Sequence, residues 1–176
     1  MMSNPADIVP FAKTMGIVIT TMDKDVVRGE MLVRPEICTA GNGRGSPSIH
    51  GGAVMTFADV LGAFGGFANL PEGSNGTTTS ESKTNFLNAA PEGSIVYGEA
   101  TPFKTGRRQS VWQTKITLED GTLVAVRAEP VEAPARSPAS FDRLRTNGIR
   151  IGVDLRRAKA VRAQFIRSFP SGLFLR

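Results

Sequence analysis

His50-Gly51-Gly52-Ala53-Val54-Met55-Thr56-Phe57-Ala58-Asp59 holds the only histidine of a 176-residue chain, a Gly-Gly step and a single carboxylate among apolar neighbours. Apolar residues at Ala53, Met55, Phe57, Ala58, Val60, Leu61, Phe64 and Phe67 surround a helix drawn through this stretch on nearly every side. That is the pattern of a helix buried at the centre of a domain. Asp59, two turns in, is then a carboxylate in apolar surroundings, which is costly unless it is paired or neutralised. With no obvious cation beside it, Asp59 is a candidate catalytic group.

Gly51 and Gly52 stand where the helix should begin, at the end with unsatisfied N–H groups and the positive end of the dipole. Lacking side chains, they let a ligand oxygen approach those groups closely. A carbonyl polarised there, with a carboxylate in reach, is what acyl-transfer chemistry requires. A satisfied core aspartate behind a glycine turn would account for the same residues. Residue types alone leave both readings open.

The wider pattern is more specific. H-G-G-x(6)-D opening a central helix resembles the signature of the hotdog-fold acyl-CoA thioesterases, in particular the phenylacetate-pathway (PaaI-like) group. The similarity extends to Arg34-Pro35-Glu36-Ile37-Cys38 on one side. On the other it takes in Glu81-Ser82-Lys83-Thr84-Asn85-Phe86-Leu87 and Gly106-Arg107-Arg108-Gln109-Ser110-Val111-Trp112-Gln113. It covers about residues 10–127. HGG alone is a weak signal; HGG with the Asp at this spacing, between such flanks, is a strong one.

Length fits one domain with an ordinary core and an appendage. No apolar run reaches the roughly 20 residues of a membrane span. The first residues, Met1 to Asp7, lack the charged-then-apolar pattern of a signal peptide. The single Cys38 excludes an intrachain disulfide, and one His with one Cys does not furnish a zinc site of the usual type. A cytoplasmic location is therefore the default expectation. Residues 1–128 carry 11 Lys/Arg against 12 Asp/Glu, whereas residues 129–176 carry 10 against 4. The basic balance belongs to the tail and does not mark the main domain as a nucleic-acid binder.

Taken in order, Pro5 to Met15 reads as a short amphipathic helix ended by Gly16. Ile17–Met22 and Val26–Val33 read as a hairpin around Asp23-Lys24-Asp25. Thr39 to Ser48 is a loop, and the helix runs from about Gly52 to Asn69. Thr77–Leu87, Ser94–Lys104, Arg108–Leu118 and Leu123–Arg127 then read as strands, the last three parted by short turns containing glycine. Two strands, one long helix and an antiparallel meander make an α+β fold. A curved sheet wrapped around one apolar helix buries such a pattern, and this is also the hotdog arrangement that the resemblance implies.

From Glu129 the character changes. Pro130, Pro134 and Pro138 are expected to break any strand, and Arg-rich stretches follow. Parts of this tail resemble peptides encoded by repeat elements at the ends of some bacterial reading frames. The expected organisation is a thioesterase-like domain over 1–128 and a basic, irregular or disordered tail over 129–176, with the last strand cut short. A basic arm for RNA or a membrane surface is the alternative.

The resemblance implies roles for particular residues. Asp59 would be general base or nucleophile toward a thioester carbonyl. Gly52, with Gly51, would offer N–H groups to the oxyanion. His50 would either orient substrate or cap the helix, with capping favoured. Thr79 falls where relatives place a Ser or Thr that faces the catalytic Asp from the partner subunit, with Thr77 or Thr78 in its place if the register slips by one. Relatives also hold the attacking water with an Asn or Gln six residues before the histidine. Arg44 stands there, so Asn42 is the nearest candidate. Lys83, Lys104, Arg107 and Arg108 are candidate partners for coenzyme A phosphates. Trp112 reads as sheet packing. Phe57, Leu61, Phe64 and Phe67 suggest an apolar, aryl-accepting pocket.

The leading expectation is acyl-CoA hydrolysis by a homodimer or homotetramer, with no metal and no cofactor beyond the coenzyme A of the substrate. A hotdog hydratase would pair the Asp with a downstream His on the same helix, and none follows Asp59. A non-catalytic acyl-CoA binder and an impaired product of a gene with a replaced C-terminus remain as competing readings.

Overall fold

The computed structural model describes residues 4–41, 46–74 and 76–132. The tail beyond 132 and the loop residues Asn42 and Arg44 lie outside them. The chain opens with a single 3-10 turn, Pro5–Ile8, and a short helix α1, Pro10–Met15, closed by Gly16 at φ 73. The left-handed position is one a glycine takes without steric cost.

Strands β1 (Val18–Met22) and β2 (Val27–Leu32) form the first hairpin. Its turn is held by the Asp23 carboxylate, which accepts from the N–H groups of Asp25 and Val26. Helix α2 spans Gly51–Ala68. It is followed by β3 (Thr78–Thr79), β4 (Lys83–Phe86), β5 (Ile95–Lys104), β6 (Gln109–Thr117) and β7 (Leu123–Glu132). All pairings are antiparallel, in the order β1-β2-β5-β6-β7-β3, with β4 also against β7.

Helix α2 touches strands from one edge of this sheet, β1, to the other, β3. Six strand positions at about 4.8 Å span some 24 Å, and a helix with side chains is about 10–12 Å across. The sheet therefore has to curl round the helix. This is the α+β, helix-in-curved-sheet fold expected above. By length and apolarity α2 would also pass for a membrane span, which the sequence reading did not anticipate. Here it is the core of the domain: Val54, Phe57, Ala58 and Leu61 are buried against the sheet.

The sheet makes room for those side chains with glycine. Gly29 of β2 and Gly98 of β5 are direct cross-strand partners. A Cβ at Gly98 would lie 2.3 Å from Leu61 and 2.9 Å from Phe57. Phe57, Leu61 and Phe64 are thus buried in the core, and Phe67 packs partly buried against it.

Two strand boundaries differ from expectation. β7 does not stop at Arg127. It continues to Glu132, and β6 pairs with it along its full length, through Val111 opposite Pro130 and Gln109 opposite Glu132. The expected single strand over Thr77–Leu87 is instead two pieces, β3 and β4, with Ser80-Glu81-Ser82 between them. The physical reason lies across the gap. β4 pairs up to Ala128 and β3 resumes at Val131, so the interruption faces Glu129-Pro130. A proline has no N–H for the ladder. The strand accommodates Pro130 by interrupting its outer partner, without ending itself.

Candidate active site

The start of α2 is built by its own sequence. His50 is the N-cap, in extended backbone, and its Nδ1 accepts from the Gly52 N–H at 2.9 Å. The His50 carbonyl receives the first helical N–H groups, from Ala53 and Val54. Cys38 and Ile49 bridge just outside the cap, and the His50 N–H donates to the Ile37 carbonyl. Of the two roles weighed for His50, its geometry is that of the cap. Gly52 is exposed and Gly51 half-buried. Over Gly51 lies the Phe86 ring of β4, which a Cβ at that position would approach to 3.3 Å.

Asp59 sits seven residues further on. At 1.5 Å per residue that is about 10 Å along the axis. The N–H groups of Gly51–Gly52 and the carboxylate of the same helix therefore cannot meet one substrate carbonyl. The sequence reading placed them within reach of each other, and helix geometry separates them.

The carboxylate is also not the unpaired group that was expected. Arg127 of β7 crosses from the sheet, and its Nη2 lies 2.7 Å from Asp59 Oδ1. Its Nη1 donates to the carbonyl oxygen of Met55, one turn earlier on the same helix. The Arg127 side chain is 4% exposed, whereas that of Asp59 is 43% exposed. Thr79 of β3 donates through Oγ1 to the same Oδ1 at 3.0 Å. Thr79 is thus brought to Asp59 within a single chain.

Lys104, Arg107 and Arg108 are exposed around the β5–β6 connection, and Lys83 is exposed on β4. In strand order β6 and β7 separate these two groups. Trp112 is fully buried, its ring against Gly65 and its Nε1 donating to Ser110 Oγ at 3.2 Å. Asn42 falls outside the described residues.

Arg127 and Phe86 are the site residues that the sequence reading missed. Arg127 had a visible signal. It is a charge on the same alternating face as Ala125 and Val131, both buried, and a charge among buried neighbours demands a partner. Phe86 gave no comparable signal.

Residues 47–125 match the model of the thioesterase superfamily. Over 130 residues the chain is 30% identical to Rv1847 of Mycobacterium tuberculosis, an inferred esterase, covering 71% of this chain and 89% of that protein. The chain belongs to the thioesterase superfamily. The solved structure of the same mycobacterial protein superposes with a TM-score of 0.64 at 26% identity, covering 74% of this chain and 100% of that one. The Haemophilus influenzae thioesterase HI1161 superposes at 0.63 with 25% identity over 70% and 82% of the two chains. A Streptococcus mutans protein, smu.793, solved with acetyl CoA, shares the fold at 0.59 and 16% identity, over 68% and 89%. Membership of this superfamily supports a hydrolase.

Proposed function

We propose that the chain hydrolyses acyl-CoA thioesters in a site completed by a second copy of itself. Asp59 acts as general base on a water, or as nucleophile, and the helix start at Gly51–Gly52 of the other copy polarises the thioester carbonyl. The observation that carries this is the Asp59 carboxylate. It is fixed through one oxygen by Arg127 and Thr79 and is nearly half exposed, on the helix of a thioesterase-superfamily fold. In the Streptococcus mutans protein the same fold holds acetyl CoA, which is compatible with this substrate class. The separation of about 10 Å along α2 calls for two chains, so a homodimer is the smallest active unit.

A binding-only reading draws on a different observation. The Gly52 N–H is already taken by His50, so a substrate oxygen would have to share or displace that bond. Turnover decides between them. Released thiol is followed with a panel of acyl-CoAs for the wild type and for Asp59→Asn. Hydrolysis by the wild type, lowered at least ~100-fold in the folded variant, supports the enzyme. Tight acyl-CoA binding without turnover supports the binder.

A further inference from the structure

The Arg127–Asp59 pair has a shape that stability alone does not call for. Arg127 is fixed in the sheet from both sides, with Thr114 of β6 and Thr84 of β4 as its register partners. From there its guanidinium straddles one turn of α2, one amine on the Met55 carbonyl and the other on Asp59 Oδ1. Met55 and Asp59 are four residues apart, so the two contacts fix both the height and the rotation of the aspartate relative to β7. Burying a guanidinium is costly, and a well-packed apolar side chain of similar volume commonly serves stability as well or better.

The second donor makes the arrangement directional. Thr79 reaches the same oxygen, Oδ1, from β3. Two strands thus hold one carboxylate oxygen, and the plane of the group is set by donors from both. Oδ2 takes part in neither contact, and the Asp59 side chain is 43% exposed. A carboxylate gripped through one oxygen presents the other with a fixed lone-pair direction, as a base must do to take a proton from a bound water.

We infer that Arg127 is a positioning residue for this reaction: it orients Asp59 through Oδ1 so that Oδ2 faces the water or thioester carbon. The inference rests on the acyl-CoA hydrolase reading above. Arg127 acts through Asp59, with its two terminal nitrogens on the Met55 carbonyl and on Oδ1. The groups that face the carboxylate in this geometry are the guanidinium of Arg127 from β7 and the hydroxyl of Thr79 from β3.

The test is steady-state kinetics of Arg127→Met and Arg127→Lys, each checked for folding, with an acyl-CoA that the wild type hydrolyses. Arg127→Met is expected to lose at least ~10-fold in kcat, with KM within about twofold because substrate contacts are untouched. Arg127→Lys keeps the charge but cannot span carbonyl and carboxylate together, and falls between Met and wild type. In the Asp59→Asn background Arg127→Met should cause little further loss, the non-additivity of residues acting through one group. An unchanged kcat in folded Arg127→Met, or a loss confined to KM, would overturn the inference and leave Arg127 a structural tie. Should Arg127→Met not fold, the Lys variant decides alone. A lowered kcat at unchanged KM supports positioning, and a wild-type kcat overturns it. Full activity of Asp59→Asn sinks the hydrolase mechanism instead, a different result from any of these.

Discussion

Gly65 of α2 lies directly beneath the ring of Trp112 of β6, so close that a Cβ added to it would stand 2.6 Å from the indole. Trp112 is fully buried, and its ring is the largest side chain in the core. At this contact the bulk comes from the strand and the gap from the helix, the reverse of Gly98 against Leu61 and Phe57. Neighbouring Gly66 does the same for Val131, where the added Cβ would lie 2.4 Å away.

Gly65→Ala is therefore expected to destabilise the fold. Alanine gains about 1 kcal/mol in helix propensity over glycine, but overpacking a rigid core costs typically 1–3 kcal/mol. Urea unfolding should show a lower midpoint than wild type. A variant as stable as wild type or more so would mean that Trp112 can yield.

The C-terminal boundary can be placed by truncation. Val131 is buried against Gly66 and pairs with both Ser110 and Thr79. A chain ending at Ala128 loses it, at a cost of about 1.5–3 kcal/mol for the apolar burial alone, together with the register that carries Thr79 to Asp59. A chain ending at Glu132 keeps both. Thermal melts should separate the two clearly, with the shorter chain melting lower. Equal melting temperatures would show that the far half of β7 contributes nothing.

Much of this was legible in the sequence, and the misses have specific causes. The helix, its capping histidine and the antiparallel meander follow from periodicity and turn residues, all local signals. The end of β7 was misread because Pro130 looks like a strand breaker. Whether a strand survives a proline depends on what stands opposite, and that is tertiary information. Asp59 was read as unpaired because its cation lies 68 residues away in sequence. Asp59 is a single charge on an apolar helix and Arg127 a charge that alternates with the buried Ala125; their meeting depends on which strand follows which in the sheet.

Cys38 should be a slow thiol. It is partly buried and its Sγ is 3.2 Å from the Arg34 carbonyl oxygen. Burial first, then the nearby charges of Glu92 and Glu36, push its ionisation above the ordinary thiol range. Since the thiolate is the reactive form, a disulfide reagent at mild alkaline pH should react more slowly with the native protein than with the unfolded chain. A thiol whose pKa is raised by folding favours the fold fully below its unfolded pKa, and that contribution is lost as pH climbs toward the folded pKa. Native reactivity equal to that of the unfolded chain would contradict the burial.

The central claim is that one thioester is handled by Asp59 of one copy and the helix start of another. Co-expression of two differently tagged inactive variants, Asp59→Asn and Gly52→Val, tests it most directly. In a mixed dimer one of the two sites keeps both an intact Asp59 and an intact Gly52. With random pairing, half the dimers are mixed, and activity should return to about a quarter of wild type, or about half in the purified mixed dimer. If each site were built from a single chain, the mixed dimer would hold one defect in every site. Acyl-CoA hydrolysis no higher than in the inactive parents would contradict the account.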